Sequence, residues 1–322
     1  MSFPLSQYFD DVSRIALGCM GFGGDWNATQ YDTSHVDQMH KALDAALDVG
    51  INVLDHADIY SKGRAEQVFG DVVKQRPELK EQLVIQSKCG IRLPEDEMPG
   101  RYDFSKAWVL QSVDGILQRL NIEQLDVLLL HRPDPLMELD ELADAMFQLN
   151  TSGKVAHFGV SNMHVHQIQY LQSALHTPLV ANQMQMSLAN LDWLNESVSA
   201  GMREGNDLHF SPGVIEYCRS NKMQIQAWGC LAQGLFSGRD ISDRPQHIKD
   251  TAELVARLAG EHQVSKEAIV LAWLMRHPAN IQPVIGTTNP DRIRACQEAE
   301  KVQLSREHWY QLYVSARGEA LP

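Results

Sequence analysis

The sequence lacks the features of a membrane, secreted or nucleic-acid-binding protein. Basic residues are outnumbered, with 28 Lys and Arg against 41 Asp and Glu, which gives a net charge of −13. This balance argues against nucleic acid or an anionic membrane as a partner. No apolar run reaches the ~18 residues that a membrane helix needs, and the first residues lack the basic and apolar regions of a signal peptide. We therefore expect a cytoplasmic protein.

Cysteine is scarce, and metal-ligand spacings are missing. The five cysteines are scattered along the chain, and no two of them form a C-x-x-C pair. This usage is typical of buried thiols in a reducing compartment. His164 and His166 are two residues apart and therefore do not share one face of a helix. We expect no metal site.

The chain instead contains eight short apolar runs that alternate with helical stretches. Runs of this kind are typical of strands buried on both faces of a parallel sheet. The alternation predicts one α/β domain over residues 1–322, a (β/α)8 TIM barrel with an N-terminal β segment, inserted loops and a C-terminal helix. The predicted inserts include residues 90–104 and 188–210. An open doubly wound sheet is the alternative, but no G-x-G-x-x-G motif follows the first strand, as a Rossmann nucleotide site would require. The strands are predicted within residues 14–24, 51–55, 83–88, 125–131, 157–162, 179–183, 224–228 and 281–285.

Three successive predicted strands each end on an ionisable side chain. These residues are Asp55, Lys88 and His131, and Tyr60 follows the first of them by five positions. In a parallel barrel the carboxyl ends of the strands meet on one face, where active sites lie. A charge at the end of a buried strand is costly unless it is paired. We therefore predict that the four side chains form one catalytic cluster.

This cluster has the composition of a tuned proton donor. A phenol has an ordinary pKa near ~10, and an ammonium beside it favours the phenolate and lowers that pKa. The carboxylate would keep the ammonium charged, and the imidazole would orient a carbonyl oxygen. Such a donor suits an oxygen that gains negative charge as hydride reaches its carbon. Because no side chain supplies hydride, the hydride must come from a nicotinamide cofactor. We therefore expect a small-molecule carbonyl compound as substrate.

Candidate cofactor contacts follow the same strand ends. Gly21 lies in a glycine-rich loop where the backbone can approach a ligand closely. Hydroxyl and amide groups after strands five and six suit a carboxamide, and the indole after strand seven could stack on a ring. Backbone amides of residues 231–235 could surround a pyrophosphate, and the helix start after strand eight suits a phosphate. In chain order, the further predicted contacts are Ser161, Asn162, Gln183, Trp228, Leu231, Gln233, Gly234, Leu235, Thr287, Thr288, Asn289 and Arg292.

Taken together, these motifs resemble the aldo-keto reductase superfamily. The D-x-x-x-x-Y spacing, the G-V-S-N motif at residues 159–162 and Gln183 occur in the order that the family has. The resemblance implies a (β/α)8 barrel that binds NADPH extended across its top. It also implies that Asp55, Tyr60, Lys88 and His131 are the catalytic tetrad and that Gln183 contacts the nicotinamide.

The chain departs from the family pattern in two places. Residues 228–231 read W-G-C-L where the family often has Y-S-P-L, which keeps a ring but loses a serine hydroxyl. The family glutamate and asparagine after the arginine are Ala295 and Cys296 here, and Gly286 brings no cation. Arg292 with the helix start would still bind a 2′-phosphate. We predict a preference for NADPH over NADH, with pairing of Arg292 to Asp291 or Glu298 as the alternative.

Three functional classes fit the sequence. The favoured one is NADPH-dependent reduction of an aldehyde or ketone. The second is a regulatory protein of the same superfamily that binds the cofactor and turns over little. The third is an aldolase that uses Lys88 as a Schiff-base nucleophile. Four aromatic residues in the loops, Phe22, Trp26, Tyr102 and Trp193, are predicted as pocket walls and indicate an apolar carbonyl substrate.

Overall fold

The computed structural model describes residues 3–203, 205 and 208–322 and contains a closed barrel of eight parallel strands. Each strand pairs with the next along the chain, and β8 pairs with β1. The predicted (β/α)8 fold is therefore confirmed. The strands are β1 (Ala16–Gly18), β2 (Val53–Asp55), β3 (Val84–Cys89), β4 (Leu125–Leu130), β5 (Val155–Ser161), β6 (Leu179–Gln185), β7 (Gln224–Trp228) and β8 (Gln282–Ile285).

Helices surround the barrel and bury their apolar stripes against it. In α1, for example, Val36, Met39 and Leu43 are buried at spacings of three and four residues. The helices are α1 (Thr33–Asp48), α2 (Arg64–Gln75), α3 (Lys106–Leu120), α4 (Leu139–Thr151), α5 (Val165–Gln172), α6 (Asp192–Val198), α7 (Val214–Ser220), α8 (Gln246–His262), α9 (Lys266–Met275), α10 (Pro290–Gln297) and α11 (Arg306–Arg317).

Two segments predicted as plain loops contain regular structure. Within residues 90–104, Ile91–Arg92 and Arg101–Tyr102 form a short antiparallel ribbon, with Ile91 opposite Tyr102. Within residues 188–210, α6 forms because its Trp193 and Leu194 are buried against the outer helices. In these two segments the loop prediction was wrong.

The amino-terminal end of the barrel is closed by the residues that precede β1. These residues form a short 3-10 helix, Pro4–Gln7, so the predicted N-terminal β segment corresponds to β1 itself. Leu5 packs inside the barrel against Val127, Leu129 and Val180. This apolar plug leaves the carboxyl ends of the strands as the open face.

A layer of glutamines lies between the plug and the open face. Gln86, Gln183, Gln226 and Gln282 are all buried, and each comes from a different strand. Their side-chain amides form a continuous hydrogen-bond chain, which runs from Asp55 Oδ1 to the backbone oxygen of Ser13. Buried polar networks of this kind are rigid only when their members are satisfied. The layer therefore gives Asp55 a fixed polar support.

Strand register brings the predicted site residues to one rim. Gly18 lies opposite Asp55, Asp55 opposite Gln86, and Ser161 opposite Gln183. The backbone N–H of His131 donates to the oxygen of Cys89 at 2.9 Å, directly beyond Lys88. The described helices include none that is both long and apolar enough to cross a membrane. The described residues also include no group of three or more His, Cys, Asp or Glu placed to hold a metal ion.

Candidate active site

Lys88 is the centre of the predicted catalytic cluster. Its Nζ donates to Asp55 Oδ2 at 2.8 Å, to the backbone oxygen of His56 at 2.9 Å and to Tyr60 Oη at 2.9 Å. These three contacts use all three hydrogens of the ammonium, and the side chain is fully buried. Burial by itself lowers the pKa of Lys88. The charges of Asp55 and Tyr60, and the hydrogen bonds that these residues accept, outweigh burial, so the pKa lies above its ordinary value. Lys88 is therefore a fixed cation rather than a free amine.

Tyr60 presents its phenol to this cation at the edge of the cleft. Burial raises the pKa of Tyr60, and the charge of Asp55 acts in the same direction, while Lys88 opposes both. The net direction is upward, whereas the sequence predicted a lowered pKa, because removal of the phenolate from water outweighs the one ammonium. The phenol is consequently protonated at neutral pH and available as a hydrogen-bond donor.

His131 lies across the cleft from Tyr60, with the two ring centroids 6.1 Å apart. Burial, followed by the positive charges of Lys88 and Arg132, lowers the pKa of His131 to about 2. The imidazole is therefore neutral at physiological pH. A neutral imidazole can orient a carbonyl oxygen, but it does not compete with the phenol as the proton donor.

The ends of β5, β6 and β7 form a connected polar group beside the tetrad. Asn162 has a φ of 58°, a left-handed conformation that asparagine adopts more readily than most residues. Its Nδ2 donates to Ser161 Oγ at 2.8 Å, and its Oδ1 accepts from Trp228 Nε1 at 3.1 Å. Gln183 donates instead to Asp55 Oδ1 at 3.0 Å and Gln226 Oε1 at 3.1 Å. The bond to Asn162 therefore holds the Trp228 indole at the rim.

The loops after β1 and β8 approach each other closely at Gly21. A Cβ at this position would lie 2.8 Å from Thr288 Cγ2, which is closer than carbon atoms pack. Only glycine therefore allows the two loops to meet without a shift. The contact places Gly21 and Thr288 together on the wall of the cleft.

The loop after β7 has an unusual backbone. Ala232, Gln233 and Gly234 have φ values of 47°, 55° and 80°, three consecutive left-handed residues. Each non-glycine residue in this region costs roughly 1–2 kcal/mol, and such strain is concentrated at ligand sites. Leu231, Gln233 and Gly234 line the cleft, whereas Leu235 packs against the helical core. Leu235 is therefore not placed as a ligand contact.

The start of α10 differs from the simple phosphate site that the sequence predicted. Asn289 Oδ1 already accepts from the backbone N–H groups of Asp291 at 2.9 Å and Arg292 at 3.2 Å. These amides are consequently capped, and Thr287, Thr288 and Arg292 line the cleft beside them.

The alternative pairing of Arg292 is not formed among the described residues. Asp291 has Arg294 Nη1 3.7 Å from its carboxylate, and Glu298 accepts from the backbone N–H of Ser265 at 2.8 Å. The Arg292 side chain is exposed and lines the cleft. Its guanidinium is therefore available to an anionic ligand.

One cleft of about 790 Å³ connects these features and extends from Tyr60 and His131 at one end to Arg292 at the other. It runs across the carboxyl ends of the strands. All the predicted catalytic and cofactor residues line it except Lys88, which lies beneath Tyr60, and Leu235. Its lining includes residues from the loops after six of the eight strands.

Comparisons with known proteins agree with this geometry. The model of the Aldo/keto reductase family matches residues 14–313. The chain belongs to the aldo/keto reductase family. It is 34% identical to the oxidoreductase YdhF of Escherichia coli K12, covering 97% of this chain and 96% of the relative. It is also 34% identical to the 6-dehydroglucose reductase of Agrobacterium fabrum, covering 96% of both.

Solved structures of aldo/keto reductases share the fold. The glycerol dehydrogenase of Gluconobacter oxydans has a TM-score of 0.78 at 22% identity, covering 97% of this chain and 93% of that one. An aldo-keto reductase of Klebsiella pneumoniae, solved in complex with NADPH, has a TM-score of 0.69 at 24% identity, covering 94% of this chain and 90% of that one.

The aromatic walls predicted for this aldo/keto reductase are not found at the described cleft. Phe22 is fully buried in the core, because the loop after β1 folds inward. Trp26 and Tyr102 are exposed, at 40% and 43%, and neither lines the cleft. Trp193 lines a different cavity. The prediction of an apolar substrate pocket rested on these four residues, and their positions do not support it.

Two charged residues of the cleft were missed by the sequence analysis. Arg132 lines it next to His131, a position that follows directly from the end of β4. Glu267, in the first turn of α9, lines it at the opposite end. Burial raises the pKa of the Cys296 thiol, Glu267 adds to the rise and Arg292 opposes it, so both charges lie near this thiol. Nothing in the sequence pattern of α9 indicated that position.

Proposed function

We propose that this chain catalyses the NADPH-dependent reduction of an aldehyde or ketone to an alcohol. The observation that carries the proposal is the protonated, partly buried phenol of Tyr60, with Lys88 Nζ 2.9 Å from its oxygen, at the edge of the long cleft. When bound, the dihydronicotinamide supplies hydride to the carbonyl carbon. The electron pair of the C=O bond moves to oxygen, and Tyr60 gives that oxygen its proton. The Lys88 ammonium then stabilises the phenolate that remains.

The residues present fit NADPH as the cofactor. Ser161, Asn162 and Gln183 offer hydroxyl and amide groups near the tetrad for the carboxamide, and the fixed Trp228 indole offers a stacking face. The turn at residues 232–234, with three left-handed residues, would let backbone amides approach a pyrophosphate, and Gly21 lines the same cleft. Two threonine hydroxyls and Arg292 would hold the 2′-phosphate.

The protonation of Lys88 weighs against the aldolase alternative. A Schiff base forms from a neutral amine, but Asp55 and Tyr60 raise the pKa of Lys88 and use its hydrogens. The regulatory alternative differs only in turnover. A steady-state assay of NADPH oxidation with simple aldehydes separates the two, because a regulatory protein would bind NADPH without consuming it.

We further propose a polar, hydroxylated carbonyl compound as the substrate class. Two relatives, at 34% and 33% identity, are 6-dehydroglucose reductases, which act on a sugar aldehyde by name. The catalytic end of the cleft here has the Arg132 guanidinium and lacks the four predicted aromatic walls. A guanidinium donates up to five hydrogen bonds and suits hydroxyl oxygens.

Arg132→Leu is therefore expected to discriminate between two matched aldehydes. It should lower kcat/KM for glyceraldehyde by about 10- to 150-fold, the range for a lost hydrogen bond from a charged donor of ~1.5–3 kcal/mol. Propanal, which has the same carbon skeleton without hydroxyls, should be little affected. Steady-state kinetics with both aldehydes measures the difference, and Arg132→Lys tests charge alone. An equal loss of kcat/KM for both aldehydes would show that Arg132 acts through the neighbouring His131 and does not bind the substrate hydroxyls.

Arg292→Ala is expected to change cofactor preference. The variant should bind NADPH about 10- to 150-fold more weakly, because a charge-assisted contact of ~1.5–3 kcal/mol is lost, and it should bind NADH as the wild type does. Dissociation constants for both cofactors decide the matter. Arg294→Ala is the matched control, since Arg294 is the next arginine on α10 but pairs with Asp48 outside the cleft. A similar loss for both cofactors would remove Arg292 from the 2′-phosphate site.

A further inference from the structure

A second cavity lies on the flank of the barrel, between α6, α7, α9 and α11. Its volume is about 320 Å³, near the lower limit of ~300–1,000 Å³ for small-molecule pockets. It shares no lining residue with the active-site cleft. Trp193 forms part of the wall of this second cavity, although the sequence predicted it in the substrate pocket.

Positive charge is concentrated at this cavity. Arg219, Arg276 and Arg306 line it together with a single acid, Glu216, in a chain whose net charge is −13. None of the three arginines forms an ion pair with an acidic side chain that the structure describes. Arg276 Nε donates to the backbone oxygen of Leu304 at 3.1 Å, which leaves its terminal nitrogens available. The cavity is therefore complementary to an anion.

The aromatic rings of Trp193 and Trp309 form part of the cavity wall, and contacts with Trp273 behind the wall hold them in place. Trp273 and Trp309 stack with centroids 5.4 Å apart and exchange indole-to-backbone hydrogen bonds of 3.1 and 3.0 Å. Trp193 packs edge-on against Trp273 at 5.6 Å. Tyr313 Oη donates to Asn195 Oδ1 at 2.6 Å and so joins α11 to α6. This arrangement fixes an apolar surface next to the arginines.

Two buried donors at the cavity have no acceptor among the described residues. They are the indole N–H of Trp193, a residue only 1% exposed, and the Nε–H of Arg219. Burial, then the charge of Arg219, lowers the pKa of His277 to about 4, so this third polar group is neutral at pH 7. Buried donors are rarely left unpaired in proteins. Because Trp193 and Arg219 both line the cavity, a ligand with acceptor oxygens suits this site better than an apolar one.

We propose that this flank cavity binds a small organic anion with a flat aromatic body, of the aromatic carboxylate class. The carboxylate meets Arg219 and Arg276, and the body packs against the Trp193 and Trp309 rings. A bidentate guanidinium–carboxylate contact supplies orientation as well as affinity. The site is independent of the proposed reductase function.

Calorimetric titration with 2-naphthoate, in the presence of saturating NADPH, tests the proposal. Wild-type protein is expected to bind the probe saturably, and Arg219→Gln and Arg276→Gln should each weaken binding by about tenfold or more, as expected for a lost charged contact. Arg257→Gln is the matched control, because Arg257 lies on α8, pairs with Glu261 at 2.9 Å and does not line the cavity. Retained NADPH affinity and unfolding midpoint show that the variants are folded.

Neutral and non-aromatic probes test the two halves of the proposal separately. 2-Naphthalenemethanol has the same rings without the charge and should bind much more weakly, and inorganic phosphate has charge without rings and should also bind weakly. Equal binding of the neutral alcohol would overturn the role of the arginines, and equal binding of phosphate would overturn the role of the rings. Absence of saturation, or binding that both arginine variants leave unchanged, would overturn the site.

Discussion

Tyr60→Phe is expected to lower kcat for carbonyl reduction by about 10²- to 10⁴-fold, the range for loss of a positioned general acid. The substitution removes only the phenol oxygen, which accepts from Lys88 Nζ at 2.9 Å, and keeps the ring that packs near His131. His131 does not replace the lost acid, because its pKa is lowered to about 2. NADPH binding should be unchanged, since Tyr60 is not among the residues that we propose as cofactor contacts.

The pH dependence of the wild type provides a second measurement of the same residue. Burial raises the pKa of Tyr60 above its ordinary value, so the phenol is protonated through the neutral range. Reduction needs the protonated form and should be lost only as pH rises through this raised pKa. Alcohol oxidation needs the phenolate and should increase over the same range. In Tyr60→Phe, neither the loss of reduction nor the increase of oxidation should appear over this pH range.

A matched control exists for this substitution. Tyr31 Oη donates to Asp71 Oδ2 at 2.7 Å, and Tyr31 does not line the active-site cleft. Tyr31→Phe should therefore leave kcat at the wild-type value. Measurement of kcat together with the dissociation constant of NADPH checks both variants. Substantial carbonyl reduction by Tyr60→Phe would reject the assignment of Tyr60 as the proton donor.

The grouping of the tetrad was predictable because parallel strands impose it. Residues at the ends of consecutive strands must meet at one rim. The strand boundaries were therefore enough to place Asp55, Lys88 and His131 together. Tyr60 follows from its short distance along the chain. The direction of its pKa was not predictable, because it depends on how fully the phenol is removed from water.

The glutamine layer carried a signal that the sequence analysis did not use. Gln86, Gln183, Gln226 and Gln282 each interrupt an apolar strand run, and only Gln183 was examined. A polar side chain inside a buried strand needs a partner, and four such residues on four strands of one barrel could have predicted the layer. Gln86 and Gln183 donate to Asp55, so the layer supports the predicted tetrad from below.

Loop geometry accounts for most of the errors. The place of Trp193 is set by α6 packing on Trp273 and by the bond from Tyr313 to Asn195, contacts about 80 and 118 positions apart in sequence. The capping of α10 by Asn289 is a local contact that the sequence analysis overlooked, because an asparagine directly before a proline is a typical helix start. The place of Trp193 is decided by tertiary contacts, whereas the cap at Asn289 is decided by local sequence.

Lys88→Met is expected to affect both catalysis and stability. The substitution keeps a long unbranched side chain but removes the ammonium, so Asp55 remains as a buried carboxylate without its cation. Breaking a buried pair by removal of one partner typically costs about 3–5 kcal/mol of unfolding free energy. Reduction should fall nearly as far as in Tyr60→Phe, because the phenolate formed by proton transfer would lose its counter-charge.

The double variant Lys88→Met, Asp55→Asn separates these two effects. Asparagine keeps the shape of the carboxylate without its charge, so part of the lost unfolding free energy should return. Activity should not return, because the ammonium is still absent. Urea unfolding and kcat, measured on the two variants and the wild type, give both quantities. Recovery of activity in the double variant would show that Lys88 serves only to neutralise Asp55.

Labelling of wild-type Lys88 by borohydride in the presence of an aldehyde would instead favour the Schiff-base reaction, since a protonated and fully bonded ammonium forms no imine.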